Sequence, residues 1–118
     1  MSEIYLGTIA IEPNRWFGID PDRWATIALT DWLDRIADAG FDGIELWEAH
    51  FRDADPDEQM AIIDHPLAIP FANTYVSFDE PDDRDRTAAA DWVRRSGAAK
   101  VKWNTGPERD ADLSLIHI

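Results

Sequence analysis

Apolar residues fall at helical spacing from Thr30 to Ala39, where Leu29, Trp32, Leu33 and Ile36 occupy i, i+3, i+4 and i+7. Thr30 is the expected N-cap, and Gly40 sits where a helix of this length needs a left-handed stop. The pattern then changes period: Phe41 to Trp47 alternates apolar and polar positions, as a strand does. Helix, glycine stop and strand recur about sixty residues on, in Asp91 to Gly97 followed by Ala99 to Trp103. Trp92 to Gly97 spans five positions where Trp32 to Gly40 spans eight, a difference of about one helical turn that keeps the same face inward.

Between these copies the chain has room for a helix over Pro56 to Asp64 and a strand over Leu67 to Tyr75, and Glu3 to Ile9 supplies a strand before the first helix. Regular alternation of strand and helix predicts an α/β fold with a parallel sheet and helices packed outside it. Four such units in 118 residues fit a small open sheet or the first half of a (β/α)8 TIM barrel, whose usual length is about 250 residues. Strand chemistry favours the half barrel. Ile44-Glu45-Leu46-Trp47 and Lys100-Val101-Lys102-Trp103 carry polar side chains on one face, whereas a sheet buried on both faces gives continuous apolar runs. The connection Glu12 to Asp22, with Pro13, Asn14, Arg15, Trp16 and Phe17, is the long loop at which such folds place ligands.

Composition narrows the function classes. Eleven basic against 24 acidic residues give a formal charge of -13, which disfavours nucleic acid and anionic membrane as partners and suits a cation, a metal or a neutral polyol. The bulk of this charge reads as adaptation to habitat, and the acidic runs Asp53 to Glu58 and Asp79 to Asp85 as solvated loops leading into helix starts. There is no cysteine, no secretory leader pattern and no apolar run near the roughly 20 residues a membrane span needs, so a cytoplasmic protein is expected. The last six residues, Leu113 to Ile118, match nothing before them; they translate a DNA string resembling a transposon mosaic end, so residues 1–112 are taken as the half barrel and 113–118 as a non-native tail.

Candidate chemistry gathers at strand ends. Glu45, Trp47, Glu48 and His50 lie within six residues where the second strand finishes. Glu45 fits two roles, a substrate contact or a carboxylate paired with Lys102, and His50 two more, binding a substrate hydroxyl or metal or making an ordinary hydrogen bond. Asn73 at the third strand end could bind a polyol or tie neighbouring strands. Trp103 could wall a sugar ring or belong to the core, and Trp16 could be a lid or a surface anchor. Trp24, Trp32 and Trp92 read as packing, and His65 as structural. Glycine-rich phosphate loops, nucleophile elbows and zinc-protease motifs are all missing from the sequence.

The runs GFDGIELWEAH (residues 40–50), IPFANTYVSFD (69–79) and GAAKVKWNTG (97–106), after a first strand and a proline-bearing loop, resemble the N-terminal half of the sugar phosphate isomerase/epimerase family, the xylose isomerase-like TIM barrels. The likeness spans residues 3–110 and is most specific at Gly40 to His50. It implies a barrel holding one divalent cation, manganese, magnesium or cobalt, ligated by two glutamates, an aspartate and a histidine from the second half. The glutamates would move a proton beside a ketose carbonyl. On that pattern this chain holds neither the metal ligands nor the catalytic pair, and contributes substrate contacts from His50, Trp103, Glu45 and Asn73. Dehydratases and hydroxypyruvate isomerases share the family, and endonuclease IV is akin to it, although a nuclease would want zinc-binding histidines where this chain has Asn73 and Trp103-Asn104. The alternative is a non-catalytic half barrel that binds a carbohydrate or a protein. With the edges of its first and fourth strands open, a free half barrel is expected to form homo-oligomers.

Overall fold

The computed structural model describes residues 2–15, 24–76 and 81–103. The chain runs β1 (Tyr5–Gly7), a 3-10 turn (Thr8–Ile11), α1 (Thr30–Asp38), β2 (Gly43–Trp47), α2 (Glu48–Phe51), α3 (Pro56–Asp64), β3 (Ala68–Thr74), α4 (Arg84–Ser96) and β4 (Lys100–Trp103). All four strands are parallel and pair in sequence order β1-β2-β3-β4. This is an α/β fold with one parallel sheet.

Strand order decides where the helices go. A right-handed crossover that always steps to the next strand in the same direction leaves every helix on one face, whereas a doubly wound sheet reverses part-way and uses both. In agreement, α1 packs on α3 and α3 on α4. One core unites Leu33 and Ile36 of α1, Ile44 and Leu46 of β2, Phe51, Ile62 of α3, Ala72 of β3 and Ala89 and Trp92 of α4. The alternate positions of the strands form the other face. There Tyr5 meets Phe71 edge to face at 6.3 Å, and Lys102 Nζ lies 3.3 Å from Glu45 Oε1, the pairing anticipated for that glutamate.

The two glycine stops form as expected: Gly40 and Gly97 have φ of +101° and +79°, a region that side chains with a Cβ seldom enter. Helix α4 is longer than its apolar pattern suggested and begins at Arg84. Three local expectations change. Thr30 is the first residue of α1 and Leu29 its N-cap; the Thr30 N–H and hydroxyl instead donate to the Glu58 carboxylate of α3 at 3.0 and 2.5 Å. The first strand is three residues long, since from Thr8 the backbone leaves the ladder for the 3-10 turn. The second begins at Gly43, because Asp42 is used in a reciprocal tie with Ile4: its side chain accepts the Ile4 N–H and its own N–H donates to the Ile4 carbonyl, both at 2.8 Å. Trp16 and residues 113–118 lie outside the described residues. Among the described residues no helix is long and apolar enough to cross a membrane.

Close approach of β2 to β3 gives a direct test. A Cβ on Gly43 would stand 2.5 Å from the Ala68 carbonyl oxygen, whereas one on Gly7 would meet nothing within 4 Å. Gly43→Ala is expected to cost about 2 kcal/mol in urea unfolding, and Gly7→Ala to stay within about 0.5 kcal/mol of the parent.

Candidate functional site

Parallel strands deliver their C-terminal ends to one edge of the sheet, and the polar groups of this chain collect there. At the end of β1 the apolar run Thr8-Ile9-Ala10-Ile11 terminates in Glu12, whose side chain is fully buried. Its carboxylate receives five donors. Oε1 accepts the N–H of Thr26 at 2.8 Å, of Ile27 at 3.3 Å and of His50 Nε2 at 3.2 Å; Oε2 accepts the Asn14 N–H at 2.8 Å and the Thr26 hydroxyl at 2.7 Å. Burial pushes the Glu12 pKa up, but the bonds from Thr26, Asn14 and His50 together outweigh it and bring it down to about 2. At neutral pH Glu12 is therefore an ionised, acceptor-only group.

That fixes the protons around it. His50 Nε2 faces an acceptor and must carry hydrogen. Burial lowers the His50 pKa against the opposing pull of Glu12, so the ring is neutral and its Nδ1 is bare. Nδ1 lies 2.9 Å from Thr8 Oγ1, so the Thr8 hydroxyl donates to it, while the same oxygen accepts the Trp47 N–H at 3.0 Å. A single directed chain runs from the Trp47 backbone through Thr8 and His50 to Glu12, and it joins the ends of β1 and β2. Thr8 leaves the ladder because its oxygen is needed here.

Aromatic rings cover this chain. Trp47, at the end of β2, packs edge-on to His50 with centroids 5.0 Å apart, is overlaid by Trp24 at 6.3 Å and 16°, and donates its indole N–H to the Tyr75 hydroxyl at 3.2 Å. Tyr75 meets Trp24 edge to face at 5.8 Å. Beside them a cavity of about 610 Å³ is bounded by Trp24, Thr26, His50, Asp53, Asp55 and Glu58. Two of these carboxylates have internal duties: Asp55 caps α3 by accepting the Glu58 N–H, and Glu58 holds Thr30. Glu48, also buried, takes the Thr74 hydroxyl and the Arg52 guanidinium, each at 3.1 Å, and so ties β2 to β3.

Of the five residues singled out from the sequence, His50 alone is described on the cavity wall. Glu45 is paired with Lys102 on the open sheet face. Asn73 is buried at the end of β3, opposite Trp47 on one side and Lys102 on the other. Trp103 closes β4 opposite Thr74, placed by its backbone only. Sequence reading missed Glu12, Thr8 and Thr26, and assigned Trp24 to plain packing, whereas it lines the cavity. The available signal for Glu12 was a lone carboxylate ending an apolar run.

Hydroxyl, imidazole and carboxylate stand here in the order of a hydrolase triad, yet Thr8 has no exposed surface and its oxygen already accepts a backbone N–H, so it cannot attack a substrate. Nor do these groups fit a metal. Both His50 nitrogens and both Glu12 oxygens are engaged, and among the described residues no three His, Cys, Asp or Glu side chains gather to hold an ion. The arrangement can bind and orient a ligand against Trp24. Compared with family models, curated proteins and solved structures, the chain matches none.

Acid should loosen this site in two stages. His50 is neutral when folded but takes a proton below its ordinary value of 6.5 once unfolded, and Glu12, at about 2 when folded, takes one near 4.5 when unfolded. In both cases the unfolded chain binds the extra proton, so stability falls with pH. The urea midpoint is expected to drop as pH falls through 6.5 and again between 4.5 and 2, and His50→Gln to remove the first drop only.

Proposed function

We propose that this chain is the N-terminal half of a (β/α)8 barrel of the sugar phosphate isomerase/epimerase class, an enzyme of the cytoplasm, and that its part is to bind and orient a sugar or polyol. The observation that carries this is the cavity at the C-terminal strand edge, where the Trp24 ring stands beside hydroxyl and carboxylate oxygens. An indole face suits the C–H face of a sugar ring, and acceptor oxygens suit its hydroxyls. Sequential parallel strands with helices on one face, and a polar Glu45–Lys102 pair on the other, support an arc of barrel over an open sheet. Four further units would close on the free edges of β1 and β4.

In that assignment the proton beside the ketose carbonyl is moved by residues outside this half, and a divalent cation, manganese, magnesium or cobalt, is held outside it too. The described residues bind, orient and exclude water. His50 acts by stiffening the wall, with Trp24 as the contact, while Glu45, Asn73, Trp103 and Trp16 remain proposed substrate contacts along the mouth. One observation favours the second reading, a non-catalytic carbohydrate- or protein-binding half barrel: Glu12 and His50 spend their polar atoms inside the chain.

Two titrations separate these readings from their failure. Ketoses, ketose phosphates and polyols are expected to shift the Trp24 indole N–H resonance saturably, and Trp24→Ala to weaken that binding by about tenfold. A panel that leaves Trp24 unmoved to the solubility limit refutes ligand binding at this cavity. Millimolar Mn²⁺ is expected to broaden no indole signal selectively; a saturable Mn²⁺ site near Trp24 and Trp47 would contradict the division of labour between the halves.

A further inference from the structure

Glu12 and Thr26 lie 14 residues apart in sequence, at the two ends of the connection between β1 and α1, and one carboxylate holds both. On the near side it takes the Asn14 N–H; on the far side it takes two backbone N–H groups and a hydroxyl from Thr26 and Ile27. Trp24 stands two residues before that anchor and lies nearly parallel on Trp47. The same carboxylate fixes His50, which supports Trp47 edge-on from another side. We infer that Glu12 is a positioning residue: it holds Trp24 over Trp47 and so sets the aromatic wall of the cavity.

The described side-chain contacts of Trp24 constrain it less: Tyr75 meets it edge to face at 5.8 Å, a ring contact and not a hydrogen bond. The Arg52 guanidinium sits 5.9 Å from the Trp24 ring centroid, but its side chain is 41% exposed and shared with Glu48 and Asp53, so it adds little rigidity. Contact between the two indoles is not directional enough to choose one overlap among several. Two backbone N–H groups on a buried anion are directional. Glu12→Gln breaks this arrangement, because the amide nitrogen cannot accept. Placed on the Oε2 side it removes the acceptor of the Asn14 N–H in this carboxylate, and on the Oε1 side that of Thr26, Ile27 and His50.

Stacked indoles give an exciton-coupled circular dichroism signal that reports their overlap, which global stability alone does not move while the protein remains folded. In the full chain this couplet is expected, to vanish in Trp24→Phe, and to lose most of its amplitude in Glu12→Gln under conditions where helix signal is native. Should Glu12→Gln fail to fold, Thr26→Val decides: it is isosteric, removes one donor, and is expected to fold with a reduced couplet. A full couplet in a folded variant, with only the urea midpoint lowered, overturns the inference in favour of a plain stability role. The consequence for ligand affinity rests on the sugar-binding reading, and the couplet does not, so the two fail separately. Where a polyol binds the parent, the variant should bind about tenfold more weakly; unchanged affinity with a lost couplet would overturn the wall's role in the cavity.

Discussion

A carboxylate with no exposed surface organises the edge of the sheet at which the strands of this protein finish. Burying an ion costs several kcal/mol unless the protein replaces its hydration. Around Glu12 the replacement consists of five donors drawn from three parts of the chain: the turn after β1, the segment entering α1 and the residues after β2. None of those parts can move alone without taking at least one hydrogen bond from the anion. The hydrogen on His50 Nε2 and the overlap of Trp24 on Trp47 both follow from this one requirement.

The same device recurs along the edge of the sheet. Glu58 of α3 receives the first N–H of α1, and Glu48 joins the ends of β2 and β3, so three glutamates link successive βα units where the strands finish. On the helix side apolar packing does the corresponding work through Leu33, Ile36, Ile62 and Trp92. The fold thus has a core that is non-directional and tolerant, and a C-terminal strand edge that is directional and is not. Among 24 acidic residues that look like a solvated surface, these few act as internal ties.

What could be read from the sequence is what depends on near neighbours. Helix periodicity located α1, glycine at a left-handed position stopped α1 and α4, and alternation in Ile44 to Trp47 placed Glu45 on the face that meets Lys102. The roles of Glu12 and Glu58 depend on partners 14 to 38 residues away, and a pattern of residue types carries no such distances. Thr30 illustrates the limit: by local rules it is an N-cap, yet a carboxylate from α3 takes over the task and the helix starts one residue earlier than capping chemistry suggests. Packing describes Trp24 correctly, in its contacts with Trp47 and Tyr75, but nothing near it in sequence indicates that Thr26 will be pulled to Glu12.

Histidine at the mouth of a parallel sheet invites a catalytic reading, and its surroundings here argue for another. An imidazole that is to bind a metal or take a proton needs one nitrogen open to the ligand, whereas His50 donates from Nε2 and accepts at Nδ1 within the protein. Freeing either nitrogen would take one of five donors from a buried anion or the acceptor from a buried hydroxyl, a loss that a ligand at this nitrogen would have to offset. His50 is more useful to a binding surface in its present state. With both nitrogens committed, the ring keeps one orientation, Trp47 rests against it, and Trp24 rests on Trp47. In the proposed barrel this stiffness lowers the ordering cost of closing on a ligand, and it leaves the proton-moving groups to residues whose acidity is not already spent on holding the chain together.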